Sequence, residues 1–125
     1  MEKTKVQSYT DLINWQKAKD LAVMIYKATD AFPSKEVFGL TAQVRRAAIS
    51  IPSNIAEGFR RKSKKEKLQF LRIAYGSGAE VETQLIIAKE LQYLTKDQFQ
   101  GLSDLLNEIM SMLNKVISNF EEHKA

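Results

Sequence analysis

The chain has no cysteine. Disulfides, thiolate metal sites and cysteine nucleophiles are thereby excluded, and the composition fits a reducing compartment. It has one histidine, His123, near the end of the sequence. A terminal histidine beside Glu121, Glu122 and Lys124 is expected to fray with its neighbours rather than to act as a base. No Glu-x-x-His pair, GxxxxGK[ST], GxGxxG or HExxH is present, so the di-iron, phosphate-loop, dinucleotide and zinc-protease patterns all fail. Glu80 and Glu82 lie two apart and point about 200° from each other on a helix, which rules them out as a carboxylate pair. No catalytic residue, metal or cofactor is expected.

Proline and glycine are also scarce, with two and five residues in 125. There is no low-complexity segment, no internal repeat and no period-two strand pattern. No apolar run approaches the roughly 20 residues of a membrane span, and the opening residues carry no apolar core of a secretory signal. These absences lead to an expectation of a cytoplasmic protein without a membrane partner. At 125 residues, 44% hydrophobic and 27% charged, the chain suits a single folded domain, residues 1–125.

What is present is helical periodicity, in four segments. The first, residues 11–32, opens at Thr10 or Asp11, either a good N-cap, and carries Leu12, Trp15, Ala18, Ala22, Ile25 and Tyr26 on one face, widened by Leu21, Met24, Ala28 and Phe32. Phe32-Pro33 ends it. The second, residues 39–59, has Leu40, Val44, Ala48, Ile51, Ile55 and Phe59 as its stripe, Pro52 as an expected kink, and Gly58 as a C-terminal signal. Ser63 with Glu66 forms a capping box for the third, residues 64–94. Its apolar residues Leu68, Phe70, Leu71, Ile73, Ala74 and Tyr75 go almost all the way round, which predicts burial on two sides, the second against another subunit. Gly76 and Gly78 would let a neighbouring backbone approach. Thr95 caps the fourth, residues 96–122, where Phe99, Leu102, Leu106, Ile109, Leu113, Val116 and Phe120 follow a 3-4 heptad seam. Four helices with short connections predict an all-α, antiparallel, up-down-up-down four-helix bundle.

Charge is unevenly placed. Between Arg45 and Arg72 there are nine basic residues (Arg45, Arg46, Arg60, Arg61, Lys62, Lys64, Lys65, Lys67, Arg72) and two acidic ones (Glu57, Glu66). That segment carries +7, while the whole chain carries +4. Six of the eight residues from Arg60 to Lys67 are Lys or Arg, at a turn followed by a helix N-terminus. Such a run suits phosphate contact without base specificity. Its bland alternative is a solvated interhelix loop. Phe59 and Phe70 only flank it, so base stacking has little support in the sequence. Opposite the apolar stripe of the second helix, Gln43, Arg46, Ser50, Asn54, Glu57 and Arg61 form a polar stripe. It is either a solvated face or a polar seam in which Arg45 or Arg46 pairs with Glu57, Glu80 or Glu82.

Several residues together resemble a known family: Gly39-Leu40-Thr41, Gln43, Arg45-Arg46-Ala47, Ser50-Ile51-Pro52-Ser53-Asn54-Ile55-Ala56-Glu57-Gly58, then Phe70-Leu71, Gly76-Ser77, and Glu80 with Glu82-Thr83-Gln84-Leu85. From about Asp11 to Leu94 the chain closely resembles the four-helix-bundle proteins encoded in intervening sequences of 23S ribosomal RNA genes. The resemblance implies a closed ring, a homopentamer. Related accessory proteins of diversity-generating retroelements have a similar fold and a basic surface that binds nucleic acid and a reverse transcriptase. The expectation is therefore a non-enzymatic, oligomeric bundle that binds RNA or DNA through Arg60, Arg61, Lys62, Lys64, Lys65 and Lys67, with Arg45, Arg46 and Arg72 as secondary phosphate ligands or structural ion-pair members. The alternative is a protein-interaction scaffold or accessory subunit that does not touch nucleic acid.

Overall fold

The computed structural model describes residues 5–122. His123 and the final two residues lie outside them. Four helices dominate: α1 (Ile13–Thr29), α2 (Leu40–Arg60), α3 (Lys64–Glu90) and α4 (Lys96–Glu122), with short 3-10 turns at Tyr9–Asp11 and Ser34–Glu36. No strand occurs among the described residues. Each helix packs on two others, α1 on α2 and α4, and α3 on α2 and α4.

Every apolar stripe finds the same core. Leu21 and Ile25 of α1, Val44, Ile51 and Ile55 of α2, Val81 and Leu85 of α3, and Leu106, Ile109 and Leu113 of α4 are almost fully excluded from solvent. Burying a side chain of this size contributes about 1.5–3 kcal/mol. In α4 the centre of the heptad seam is buried and its ends, Phe99, Val116 and Phe120, are half-buried. α3 buries Leu71, Ala74, Gly78, Val81, Leu85 and Ala88 at 3-4 spacing, and leaves Ile73, Tyr75, Ile86 and Ile87 exposed.

The helix ends depart from expectation where local chemistry intervenes. Ser8, not Thr10 or Asp11, is the first cap: its hydroxyl accepts from the Thr10 N–H, and Asp11 Oδ2 accepts from the Gln7 and Ser8 N–H groups. These bonds close a 3-10 turn, Leu12 is extended, and the α-helix starts only at Ile13. α3 stops at Glu90 rather than Leu94, because Gln92 takes a left-handed conformation with φ 64°. The Tyr93 N–H reaches the Ala88 carbonyl and the Gln92 N–H the Lys89 carbonyl, the paired bonds of a Schellman ending. Ser63 and Thr95 both cap, Ser63 through its own hydroxyl without the returning Glu66 bond of a full capping box. Ser63 Oγ accepts from the Glu66 N–H, while Thr95 and Gln98 exchange two bonds.

Two glycines act differently from expectation. Gly58 does not end α2, which continues to Arg60. It is buried against α3, and a Cβ there would sit 3.2 Å from Phe70 Cβ and 3.3 Å from the Lys67 carbonyl oxygen. Gly76 faces open space, so of the α3 pair only Gly78 admits a neighbour, the Met110 side chain.

Candidate nucleic-acid interface

The connection between α2 and α3 is three residues, Arg61 to Ser63. It is short because Gly58 lets the end of α2 lie directly on the start of α3. Six cations are thereby folded into one corner of the bundle. Arg60, Arg61, Lys62, Lys64 and Lys65 are all exposed there. Lys67 is half-buried and turned inward: its ammonium donates to the Phe59 carbonyl at 2.9 Å and to the Gly58 carbonyl at 3.4 Å. Those carbonyls are among the last of α2, where a helix runs out of its own N–H donors, so Lys67 caps α2.

The other three basic residues serve elsewhere. Arg45 lies fifteen residues before Arg60 on α2, about 22 Å away at the helical rise. Its Nε donates to Thr29 Oγ1 at 2.8 Å, and its Nη2 to the Tyr26 carbonyl and to Asp30 Oδ1, both at 3.1 Å. Its guanidinium stands 4.6 Å from the Tyr26 ring centre. Arg45 therefore closes the end of α1, and its acidic partner is Asp30, not Glu57, Glu80 or Glu82. Glu57 pairs instead with Arg61, one turn on, at 3.2 Å. Arg72 pairs with Glu121 of α4. Arg46 is exposed beside a groove between α2 and α3, also lined by Gln43, Ser50, Ser77, Glu80 and Gln84. In that groove the Ser50 and Ser77 hydroxyls share a 2.7 Å hydrogen bond, and the Asn54 amide donates to the Ser50 carbonyl at 2.8 Å. The polar stripe is therefore a seam built by Ser50, Asn54 and Ser77 rather than by a buried arginine pair. Of the nine basic residues, five share the corner as solvent-facing cations.

Tertiary structure supplies aromatic rings that the run itself lacks. The 3-10 turn before α1 brings Tyr9 to the end of α2, where the Arg60 guanidinium lies 5.5 Å from its ring centre. Trp15 packs edge-on to Tyr9 at 5.3 Å. Arg61 lies 4.8 Å over the Phe70 ring. Cation–π interactions of this kind hold guanidinium groups in place without neutralising them.

Beside the corner is an apolar cavity of about 260 Å³. Ile55, Phe59, Leu71, Val116 and Phe120 form its walls, with Leu12, Gly58, Lys67 and Asn14 completing it. Asn14 Oδ1 is shielded from solvent and has no hydrogen-bond partner among the described residues. A neighbouring depression shares Val116 and Phe120 and is lined by Lys64 and Asn119. Sequence patterning misses Tyr9, Asn14 and Phe120 as members of this region because they come from segments far apart in the chain. Among the described residues no three His, Cys, Asp or Glu side chains come together as a metal site, and no helix is long and apolar enough to cross a membrane.

The first three helices, most of α4 and the basic run from Arg60 to Lys67 fall within a stretch that other proteins share. Residues 10–115 match the family model described as 23S rRNA-intervening sequence protein. The chain belongs to this family. Among solved structures it is similar to the crystal structure of a protein with unknown function from the S23 ribosomal protein family of Bacteroides thetaiotaomicron VPI-5482. The two share 26% identity with a TM-score of 0.76, over 84% of this chain and 98% of the other. No curated protein matches the chain. The 23S rRNA-intervening sequence family thus accounts for the bundle, and the matched region contains the whole basic corner, together with Tyr9's neighbour Trp15 and the cavity residue Asn14.

Proposed function

We propose that this protein is a non-enzymatic, cytoplasmic bundle that binds nucleic acid through phosphate contacts at the α2–α3 corner. The observation that carries this reading is the division of labour among the cations. Arg45 and Lys67 are turned in to close helix ends and Arg72 pairs with Glu121 of α4, whereas Arg60, Arg61, Lys62, Lys64 and Lys65 gather with their side chains exposed around one short turn, Arg61 in an ion pair with Glu57. Glu57 offsets part of that charge through Arg61, and the rest of the cluster outnumbers it. A phosphate backbone gains from such a cluster by releasing condensed counterions, with no base preference required. The start of α3 adds the N–H groups of its first turn to the same field.

Self-association belongs to the same proposal. Phe38 is 94% exposed, and Ile73, Ile86, Ile87 and Leu91 put further apolar surface outside the bundle. A second copy would cover it, and the family resemblance favours a closed ring of five. Repeated corners in one ring would turn a weak contact into a useful one by avidity. The second reading, a scaffold whose partner is a protein such as a reverse transcriptase, draws on that same apolar surface.

The test is a salt titration of nucleic-acid binding by the wild type and by the Lys62→Glu/Lys64→Glu/Lys65→Glu variant, with the oligomer mass measured for both. A steep fall of affinity with salt, made shallower in the variant, supports phosphate contact here. Absence of binding at low salt by an intact oligomer would hand the lead to the scaffold reading.

A further inference from the structure

The apolar cavity beside the basic corner is partly open to solvent, and its floor is formed by core residues such as Ile55 and Leu71. Its dimensions and chemistry restrict what could enter. About 260 Å³ lies just below the usual ~300–1,000 Å³ range of small-molecule pockets, so it has room for one ring system rather than an extended ligand. Its walls are aliphatic and aromatic, including Phe59 and Phe120. Asn14 is on its lining, with Oδ1 lying just beneath that surface, out of reach of water and without a hydrogen-bond partner among the described residues, and leaving such an atom unpaired is costly. A flat, largely apolar ring carrying an N–H donor on its edge would answer both features. The cations Lys64 at the adjoining depression and Arg60 and Arg61 at the corner fix what such a ring is attached to, namely a polyanion.

We propose that the cavity receives one unstacked nucleobase of a single strand, whose flanking phosphates lie on the corner. Phe59 and Phe120 supply the apolar and aromatic contact, and the Asn14 amide, turned toward the cavity, accepts from the base edge through Oδ1. A base with an exocyclic amino group, such as adenine, supplies the donor that this oxygen lacks. This rests on the phosphate reading of the corner, and it sharpens that reading from any polyanion to a single strand with an accessible base. It also alters the expectation from sequence, in which base contact had little support because the rings near the basic run were few. Asn14 and Phe120 are brought in from α1 and α4.

The experiment compares two probes with identical phosphates: a ten-residue deoxyribose-phosphate strand with no bases, and the same strand carrying one adenine at its centre. Wild-type protein is expected to prefer the adenine strand by roughly 5- to 100-fold, the range for one base stacked on protein aromatics. Asn14→Leu, which removes the orphan acceptor, and Val116→Phe, which fills the cavity, should bring that ratio close to one while leaving the salt slope unchanged. Equal wild-type affinity for both strands, with steep salt dependence, would overturn the base pocket and leave phosphate binding standing. No binding of either strand at low salt would remove the phosphate reading and this proposal with it. Should both variants fail to fold, the wild-type ratio decides alone.

Discussion

The two ends of α2 use the same residue type for opposite purposes. Near its start, Arg45 is drawn in: it bonds the buried Thr29 hydroxyl, the Tyr26 carbonyl and Asp30, and stacks on Tyr26. At its end, Arg60 and Arg61 lie over the Tyr9 and Phe70 rings and stay exposed, leading into Lys62, Lys64 and Lys65. The difference comes from neighbours. The end of α1 presents helix-terminal carbonyls and an aspartate within reach of Arg45, so a guanidinium fork is satisfied there. The α2–α3 turn crowds six cations into eight residues, and Lys67 is the one drawn in to cap the last carbonyls of α2. A cation's presence in a basic stretch therefore says little about its availability; its position relative to a helix end decides that.

The sharpest way to break this contrast is to exchange effects on binding and on stability. The Lys62→Glu/Lys64→Glu/Lys65→Glu variant should lose roughly 100-fold in nucleic-acid affinity at low salt, with the logarithmic salt slope falling by about 0.7–0.9 for each phosphate no longer neutralised. Its melting temperature should move little, since surface substitutions usually stay within about 0.5 kcal/mol. Arg45→Ala should do the reverse. It removes the charged donor from Thr29 Oγ1, the Tyr26 carbonyl and Asp30, although the Thr29 hydroxyl keeps its own bond to the Ile25 carbonyl, and is expected to destabilise by about 2 kcal/mol in denaturant unfolding, with the salt slope of binding intact. Arg45→Lys should rescue only part of this, because an ammonium cannot reproduce the fork. If Arg45→Ala weakens binding as much as the triple variant does, the two ends are not functionally distinct.

Gly58→Ala tests what makes the corner tight. The added Cβ meets Phe70 Cβ and the Lys67 carbonyl, neither of which is the free end of a flexible chain. Strain of about 1–3 kcal/mol should outweigh a helix-propensity gain of up to about 1 kcal/mol, so the unfolding midpoint should fall. A rise instead would mean that α3 can shift away at little cost. A smaller change, in the opposite sense, is expected at Gln92, where φ is 64°. Gln92→Gly relieves left-handed strain and should raise stability by up to about 1 kcal/mol.

The smallest effect concerns pH. Glu36 accepts from the Leu40 N–H at the start of α2 and from the Tyr93 hydroxyl, and these bonds, in that order, hold its carboxyl below the ordinary glutamate range. A lowered folded-state value means the ionised form favours the folded protein. That contribution is present above the ordinary range and is lost as pH falls through the lowered value. The melting-temperature gap between wild type and Glu36→Gln should therefore narrow on acidification. A gap that stays constant down to low pH would contradict it. The same bond raises the Tyr93 phenol, since its ionisation would face the Glu36 carboxylate.

Much of the fold is legible in the sequence because apolar residues recur at helical spacing with polar residues between them. Leu102, Leu106, Ile109 and Leu113 are buried in the order their heptad dictates, and Ser63 and Thr95 cap where their side chains can reach a neighbouring N–H. These are local properties, fixed within one or two turns of chain. The start of the first helix and the end of the third escape that reading for a shared reason. Ser8–Asp11 and Gln92 are decided by competing hydrogen bonds of comparable strength, which periodicity does not rank. In the candidate site, the corner's cations and the flanking Phe59 and Phe70 were legible as a run, while Tyr9 and the cavity were not.

The amino-acid sequence by itself determined that this chain forms four amphipathic helices, that it has neither thiol nor internal histidine chemistry, and that its positive charge is concentrated between residues 45 and 72. Only the tertiary structure decided which of those charges face solvent. It turned Arg45 and Lys67 into helix caps, bound Arg72 to Glu121, left Arg46 at a separate groove, and carried Tyr9, Asn14 and Phe120 to the corner that Arg60, Arg61, Lys62, Lys64 and Lys65 occupy. The physical reason is reach. Helical periodicity acts over three or four residues, whereas the partner that neutralises a charge, or the wall that closes a cavity, can come from any helix that packing brings within a few ångströms.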